Sequence, residues 1–158
     1  MTEYELEQTL LDRLQRFMLD FSGELYLRAR QLCVAWNGEG DSLDLLFFHR
    51  NLRCLIAIDV KLGEFLPEHL RQLHTHLNHL AEYAVDADEN PPVGILLCAE
   101  QEEEVVRLVM LSNDDGFISR CQLELPRASQ LRQWLHDERR RIMECGRSAA
   151  VASKIALG

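Results

Sequence analysis

The chain has 158 residues, 47% of them apolar, and a formal charge of -9, which is enough to bury one core and shows no break in composition that would mark a second. No apolar run approaches the ~20 residues of a membrane span, and the acidic start Met1-Thr2-Glu3-Tyr4-Glu5 lacks the basic head of a secretory signal, so a soluble, cytoplasmic protein without a membrane partner is expected. Cys33, Cys54, Cys98, Cys121 and Cys145 are odd in number and widely spaced, which argues against a disulfide framework or zinc site and for small core residues.

From Tyr4 to Phe21, Leu6, Leu10, Leu14, Phe17, Met18 and Phe21 form a helical stripe that Ser22-Gly23 ends. Glu24 to Trp36 then alternates, with Leu25, Leu27 and Ala29 opposite Tyr26, Arg28 and Arg30, before the turn residues Asn37 to Asp41. Leu43 to His49 and Leu52 to Lys61 read as a hairpin around Arg50-Asn51-Leu52, and the near-continuous apolar run Cys54 to Ile58 implies a central strand covered on both faces. Pro67 suits a helix first turn, and Leu66, Leu70, Leu73, Leu77, Leu80 and Ala84 give that helix its buried stripe up to about Asp86. After the linking turn Asp88 to Pro92, Val93 to Cys98 is a short buried strand. The acidic residues from Glu102 predict a helix to about Leu111, and Phe117 to Leu123 predicts a strand after the turn Ser112 to Gly116. Pro126 opens a last helix through Leu131, Trp134 and Leu135. The fold class is α/β, a mixed β-sheet flanked by helices on both faces. Residues 1–137 read as the domain, and 138–158 as a basic, Ala-rich tail that extends the last helix or frays.

The chemistry gathers at the end of the hairpin's second strand. Residues i and i+2 of a strand share a face, so Asp59 and Lys61 stand side by side while Ile58 and Val60 turn the other way. The hairpin brings Asp44 to within about one residue pair of Asp59. Two hard oxygen donors suit Mg²⁺ or Mn²⁺, and a lysine beside them suits a phosphate oxygen or an attacking water. A structural ion pair at a strand end has the same spacing. Arg30, on the Asp59 face by alternation, and Arg50 and Arg53 at the hairpin tip are candidate phosphate contacts, although arginines at such positions also serve as soluble surface. His69, His76 and His79 follow helical spacing with Gln72 but lack the HExxH pattern of a metal site. There is no GxGxxG, P-loop or Gly-x-Ser-x-Gly elbow, so nucleotide-cofactor chemistry and acyl transfer are poorly supported.

Asp44, followed by Asp59-Val60-Lys61, resembles the pattern of the PD-(D/E)XK nuclease superfamily. The stretches Asp44 to Arg50, Leu52 to Leu55, Lys61 to Phe65, Glu89-Asn90-Pro91 and Gly94 to Cys98 are similar to the C-terminal nuclease domain of the YhcG-type bacterial proteins. The resemblance covers Leu6 to Leu135, and Asp59 stands where that family usually has a glutamate, a ligand shorter by one methylene. It implies a restriction-endonuclease-like fold and a divalent-metal-dependent nuclease acting on DNA. Asp44, Asp59 and Lys61 would be its catalytic residues, Glu7 of the first helix a further metal carboxylate, and Gln72 a group near the phosphate. Glu64 matches the family text as a helper through a water, and it equally suits a neighbour of the next helix's N-terminus. The family usually carries a preceding N-terminal domain, which makes such a domain a candidate partner, and the edges of a small sheet suit a homodimer. The charge of -9 opposes a general grip on nucleic acid and supports the alternative, a silent nuclease-fold module for DNA binding or assembly.

Overall fold

The computed structural model describes residues 2–33, 42–101 and 103–157, with side chains through Cys145. The turn expected at Asn37 to Asp41 lies outside the described residues. The first helix, α1 (Glu3–Phe21), starts at a reciprocal cap. Thr2 Oγ1 accepts the Glu5 amide at 3.1 Å and Glu5 Oε2 accepts the Thr2 amide at 3.3 Å, satisfying two amides that the helix itself leaves open.

Strands β1 (Leu25–Cys33), β2 (Ser42–His49) and β3 (Cys54–Leu62) form an antiparallel meander, and α2 (Pro67–Tyr83) crosses over to β4 (Val93–Ala99), which runs parallel to β3. Strand β5 (Glu104–Met110) returns antiparallel, followed by α3 (Asp115–Glu124) and α4 (Ala128–Leu157). The strand order β1-β2-β3-β4-β5 puts β3 in the centre of a mixed sheet. The two faces carry separate cores. On one, Leu10, Leu11, Leu14 and Met18 of α1 meet Phe47, Ile56 and Ile58, together with Phe117, Leu131 and Leu135. On the other, Leu73, Leu77 and Leu80 of α2 meet Leu46, Leu55, Ala57 and Leu96. This α/β sheet with helices on both faces is the restriction-endonuclease-like architecture. Helix α2 sits close because of Gly94: a Cβ there would lie 3.0 Å from Leu73 Cγ and from Leu77 Cδ1.

Two expected elements are corrected. Residues 104–110 are a strand, not a helix: Val105 and Val109 pack toward α2 while Val106 and Met110 pack toward α1, a period of two that three β-branched valines favour. The acidic residues before them close the β4–β5 turn, Glu100 N–H donating to Glu103 O at 2.9 Å. Residues 117–123 are helical, because Asp114 Oδ1 accepts the Phe117 amide at 3.0 Å and Phe117, Cys121 and Leu125 bury themselves at every fourth position. Helix α4 runs unbroken through position 138. Its Ile142 is buried, and Glu138, only 8% exposed, joins Arg13 of α1 to Arg141, each at 2.8 Å. All five cysteines are free thiols. Cys54, Cys98 and Cys121 are in the core as expected, whereas Cys33 and Cys145 are exposed.

Candidate active site

The alternation of β3 places Ile58 and Val60 in the α1-side core and therefore Asp59 and Lys61 on the α2 face. Regular pairing between β2 and β3 ends at Leu45 opposite Ile58. Beyond that pair, side chains replace main chain: the Asp44 amide donates to Asp59 Oδ1 at 3.1 Å, and the Val60 amide donates to Asp44 Oδ2 at 2.7 Å. The chain rotates here, since Leu43 packs on the α2 side and Leu45 on the α1 side although they are two residues apart. The rotation turns the Asp44 carboxyl toward β3 instead of toward either core. Asp59 is 2% exposed and Asp44 6%, so the two acids are buried in the sheet, not emerging from it.

Burying a carboxylate disfavours its charged form. The Asp44 carboxyl is pushed up from its ordinary 3.8 to about 6, first by burial and then by the nearby charges of Asp59 and Glu7; the Val60 amide and the Lys61 ammonium work in the opposite direction. Glu7 and Lys61 thus belong to the same electrostatic neighbourhood, one from α1 and one from β3. The His69 imidazole in the first turn of α2 is held below its usual range by burial and by the adjacent Lys61 charge. Its Nδ1 accepts the Leu66 amide at 3.3 Å.

The remaining candidates scatter. Glu64 is exposed in the β3–α2 connection, and Gln72 is half-buried on α2. Arg30 does not share a face with Asp59. The β1–β2 register shifts between Leu27 and Ala29, a bulge that inverts the alternation, so Arg30 turns to the α1 side. There its guanidinium donates to Asp12 Oδ1 at 2.5 Å, Gln8 Oε1 at 3.1 Å and Gln15 Oε1 at 3.4 Å. Arg50 and Arg53 lie at the hairpin end of β2 and β3, away from Asp44 and Asp59. Arg50 stacks 5.5 Å over Tyr26, and Arg53 pairs with Asp88. Sequence reasoning missed the main-chain partners of the two aspartates, which leave no trace in residue types. It also missed Gln8 and Asp12, which lie one helical turn apart on α1 and whose only signal is that spacing.

Two acids, a third carboxylate in range and one ammonium form a hard-oxygen donor set suited to Mg²⁺ or Mn²⁺. Among the described residues no group of three or more His, Cys, Asp and Glu side chains is arranged to hold a metal ion. Magnesium commonly makes do with one or two carboxylates, completing its shell with water and substrate phosphate, so the pair Asp44 and Asp59 fits. The family described as "YhcG PDDEXK nuclease domain" matches residues 1–136 of the chain. The chain is 32% identical over 150 residues, 95% of its length, to "Putative nuclease YhcG" of Escherichia coli (strain K12), of which it spans 38%. No solved structure matches it. Among the described residues no helix is long and apolar enough to cross a membrane.

Proposed function

Because the chain belongs to the YhcG PDDEXK nuclease domain family, we propose that it is a divalent-metal-dependent nuclease hydrolysing phosphodiester bonds in DNA, working in the cytoplasm. One observation carries the reading: the reciprocal exchange in which Asp44 and Asp59 each accept an amide from the other's strand. It locks both acids where β2 and β3 part, beside Lys61 and within range of Glu7. An ordinary strand-end ion pair gives no reason to bury two carboxylates against each other.

A divalent cation at this place supplies Lewis acidity, lowering the pKa of a water and neutralising phosphate charge. Asp44 and Asp59 would hold it, with Glu7 completing the acidic set. The Lys61 ammonium orients the attacking water or takes the charge that develops on the phosphate as the P–O bond to the leaving oxygen breaks. Gln72 and Glu64 position groups around that phosphate through hydrogen bonds or water. The clamp on Arg30 favours a different role from phosphate binding, the holding of α1 and its Glu7 against the sheet.

A second reading, a nuclease-fold module that binds DNA or assembles without cutting, is favoured by the small set of metal-holding side chains among the described residues and by the charge of -9. Calorimetric titration with Mn²⁺ and a cleavage assay on linear, nicked and branched DNA separate the two. Wild-type protein is expected to bind Mn²⁺ and cut, and Asp59→Ala to do neither. Wild-type protein that binds no Mn²⁺ and cuts no substrate would leave the second reading.

A further inference from the structure

Helix α2 packs across β4 and β5 and its core reaches Leu43 and Leu46 of β2, whereas Tyr26, Arg28 and Arg50, toward the hairpin end of β1 and β2, are exposed. Four side chains stand there in one line. Tyr26 and Phe48 are cross-strand partners whose rings lie 5.6 Å apart at 46°. Arg50 lies 5.5 Å from the Tyr26 centroid, and Arg28 lies 5.9 Å from the Phe48 centroid. Tyr26 is 36% exposed, and among the described residues neither guanidinium forms an ion pair. An exposed aromatic pair flanked by two planar cations presents faces suited to something flat and negatively charged.

Unpaired nucleic acid has both attributes. We infer that Arg28, Tyr26, Phe48 and Arg50 form a stacking platform for the unpaired bases of a single-stranded nucleic acid segment, which feeds the strand toward Asp44. This inference rests on the nuclease reading and narrows its substrate to DNA with single-stranded character. Base faces stack on aromatic rings and guanidinium planes only when they are out of the duplex, and stacking is indifferent to sequence. The position along the fold agrees. Phe48 is four residues from Asp44 on β2, about 13 Å at the rise of a strand, and Asp59 and Lys61 share the platform's face of the sheet. The overall charge of -9 weakens any grip that relies on phosphates alone, as a duplex binder's does. A platform whose contacts are chiefly stacking avoids that difficulty.

The bulge between Leu27 and Ala29 makes the line of four possible. Arg28 sits at the bulge and stays on the side of Tyr26, while the inversion sends Arg30 to α1. Without the extra residue the edge strand would offer Arg30 to this face and lose its clamp on α1.

The test is fluorescence anisotropy with a labelled oligo(dT) of about 15 nucleotides and a duplex of equal length, in EDTA so that no cutting occurs. The expected result is preference for the single strand, with affinity falling about tenfold in Tyr26→Ala and retained in Tyr26→Phe. Tyr26→Trp adds a direct reading, because indole emission beyond that of the wild-type protein is quenched when a base stacks on it. Arg28→Ala and Arg50→Ala, which leave the core untouched, are each expected to lower the salt slope by about 0.7. Thermal melts exclude loss of fold in Tyr26→Ala. Duplex bound as tightly as single strand, affinity unchanged in Tyr26→Ala, or no oligonucleotide binding but self-association that Tyr26→Ala abolishes would each overturn the platform. If Mn²⁺-dependent cleavage of duplex persists alongside such a result, only the platform fails. Single-strand binding by a protein that cuts nothing would remove the nuclease reading and leave the platform standing.

Discussion

Replacing Asp44 by asparagine is expected to stabilise the fold while abolishing its chemistry. The Asp44 carboxyl titrates at about 6 in the native protein against 3.8 ordinarily, so between those values the folded state keeps a proton that the unfolded chain has lost. Stability therefore falls as pH rises through this window, and the cost is complete above about pH 6, where it amounts to about 3 kcal/mol. Asparagine keeps an acceptor for the Val60 amide and adds an N–H₂ donor among the acceptors Asp59 and Glu7, removing most of that cost. For a chain of this length about 2 kcal/mol corresponds to a rise of roughly 5 °C in melting temperature. Circular dichroism melts in EDTA at about pH 7.5 and about pH 4 measure it: the variant should gain at the higher pH and match wild type at the lower. Saturating Mn²⁺ should raise the melting temperature of wild type alone, since binding to the folded state adds RT ln(1 + [L]/Kd). An asparagine variant that melts at or below wild type at neutral pH in EDTA would refute the claim that the fold strains against this buried charge.

Lys61→Ala should leave Mn²⁺ binding largely intact and slow cleavage by about 10²-fold or more, because the ammonium acts mainly on the transition state; loss of DNA affinity with no separate loss of rate would favour a binding module. The Mn²⁺ affinity of wild type should decline about tenfold per unit below about pH 6, because a proton competes with the metal for the Asp44 carboxyl, measured by calorimetric titration; an affinity unchanged from about pH 5 to 7 would contradict it. Arg30→Ala should weaken Mn²⁺ by about tenfold through α1 and Glu7, with Arg30→Lys recovering part of it in the same calorimetric titration. Gly94→Ala should cost about 1–3 kcal/mol in urea unfolding, since its Cβ would press on Leu73 and Leu77 at 3.0 Å. Light scattering should find a C2 homodimer at high concentration, using the unpaired edges of β1 or β5; a monomer throughout would exclude it.

Much of this protein could be read from residues alone wherever one local pattern spoke clearly. The stripe Leu10, Leu14, Met18 made α1, Pro67 with Leu73, Leu77 and Leu80 made α2, and the apolar run Cys54 to Ile58 announced a strand buried on both faces, because periodicity and burial are properties of neighbouring residues. The family pattern drew attention to Asp44, Asp59 and Lys61 by the same local spacing. Where two patterns competed, the tertiary setting chose. Glu104 to Met110 offered an acidic helix start and a valine-rich strand, and an open place beside β4 decided for the strand. Phe117 to Leu123 alternates like a strand, yet the Asp114 cap and the hollow beneath Phe117, Cys121 and Leu125 made it helical. The site's geometry depended most on the assembled fold. A single bulged residue in β1 moved Arg30 from the Asp59 face to α1, and the parting of β2 from β3 converted two strand-end acids into a buried, mutually bonded pair. Both effects arise from main-chain pairing between distant segments, which residue type and spacing leave undetermined, so only the folded sheet placed Glu7, Asp44, Asp59 and Lys61 in one electrostatic neighbourhood.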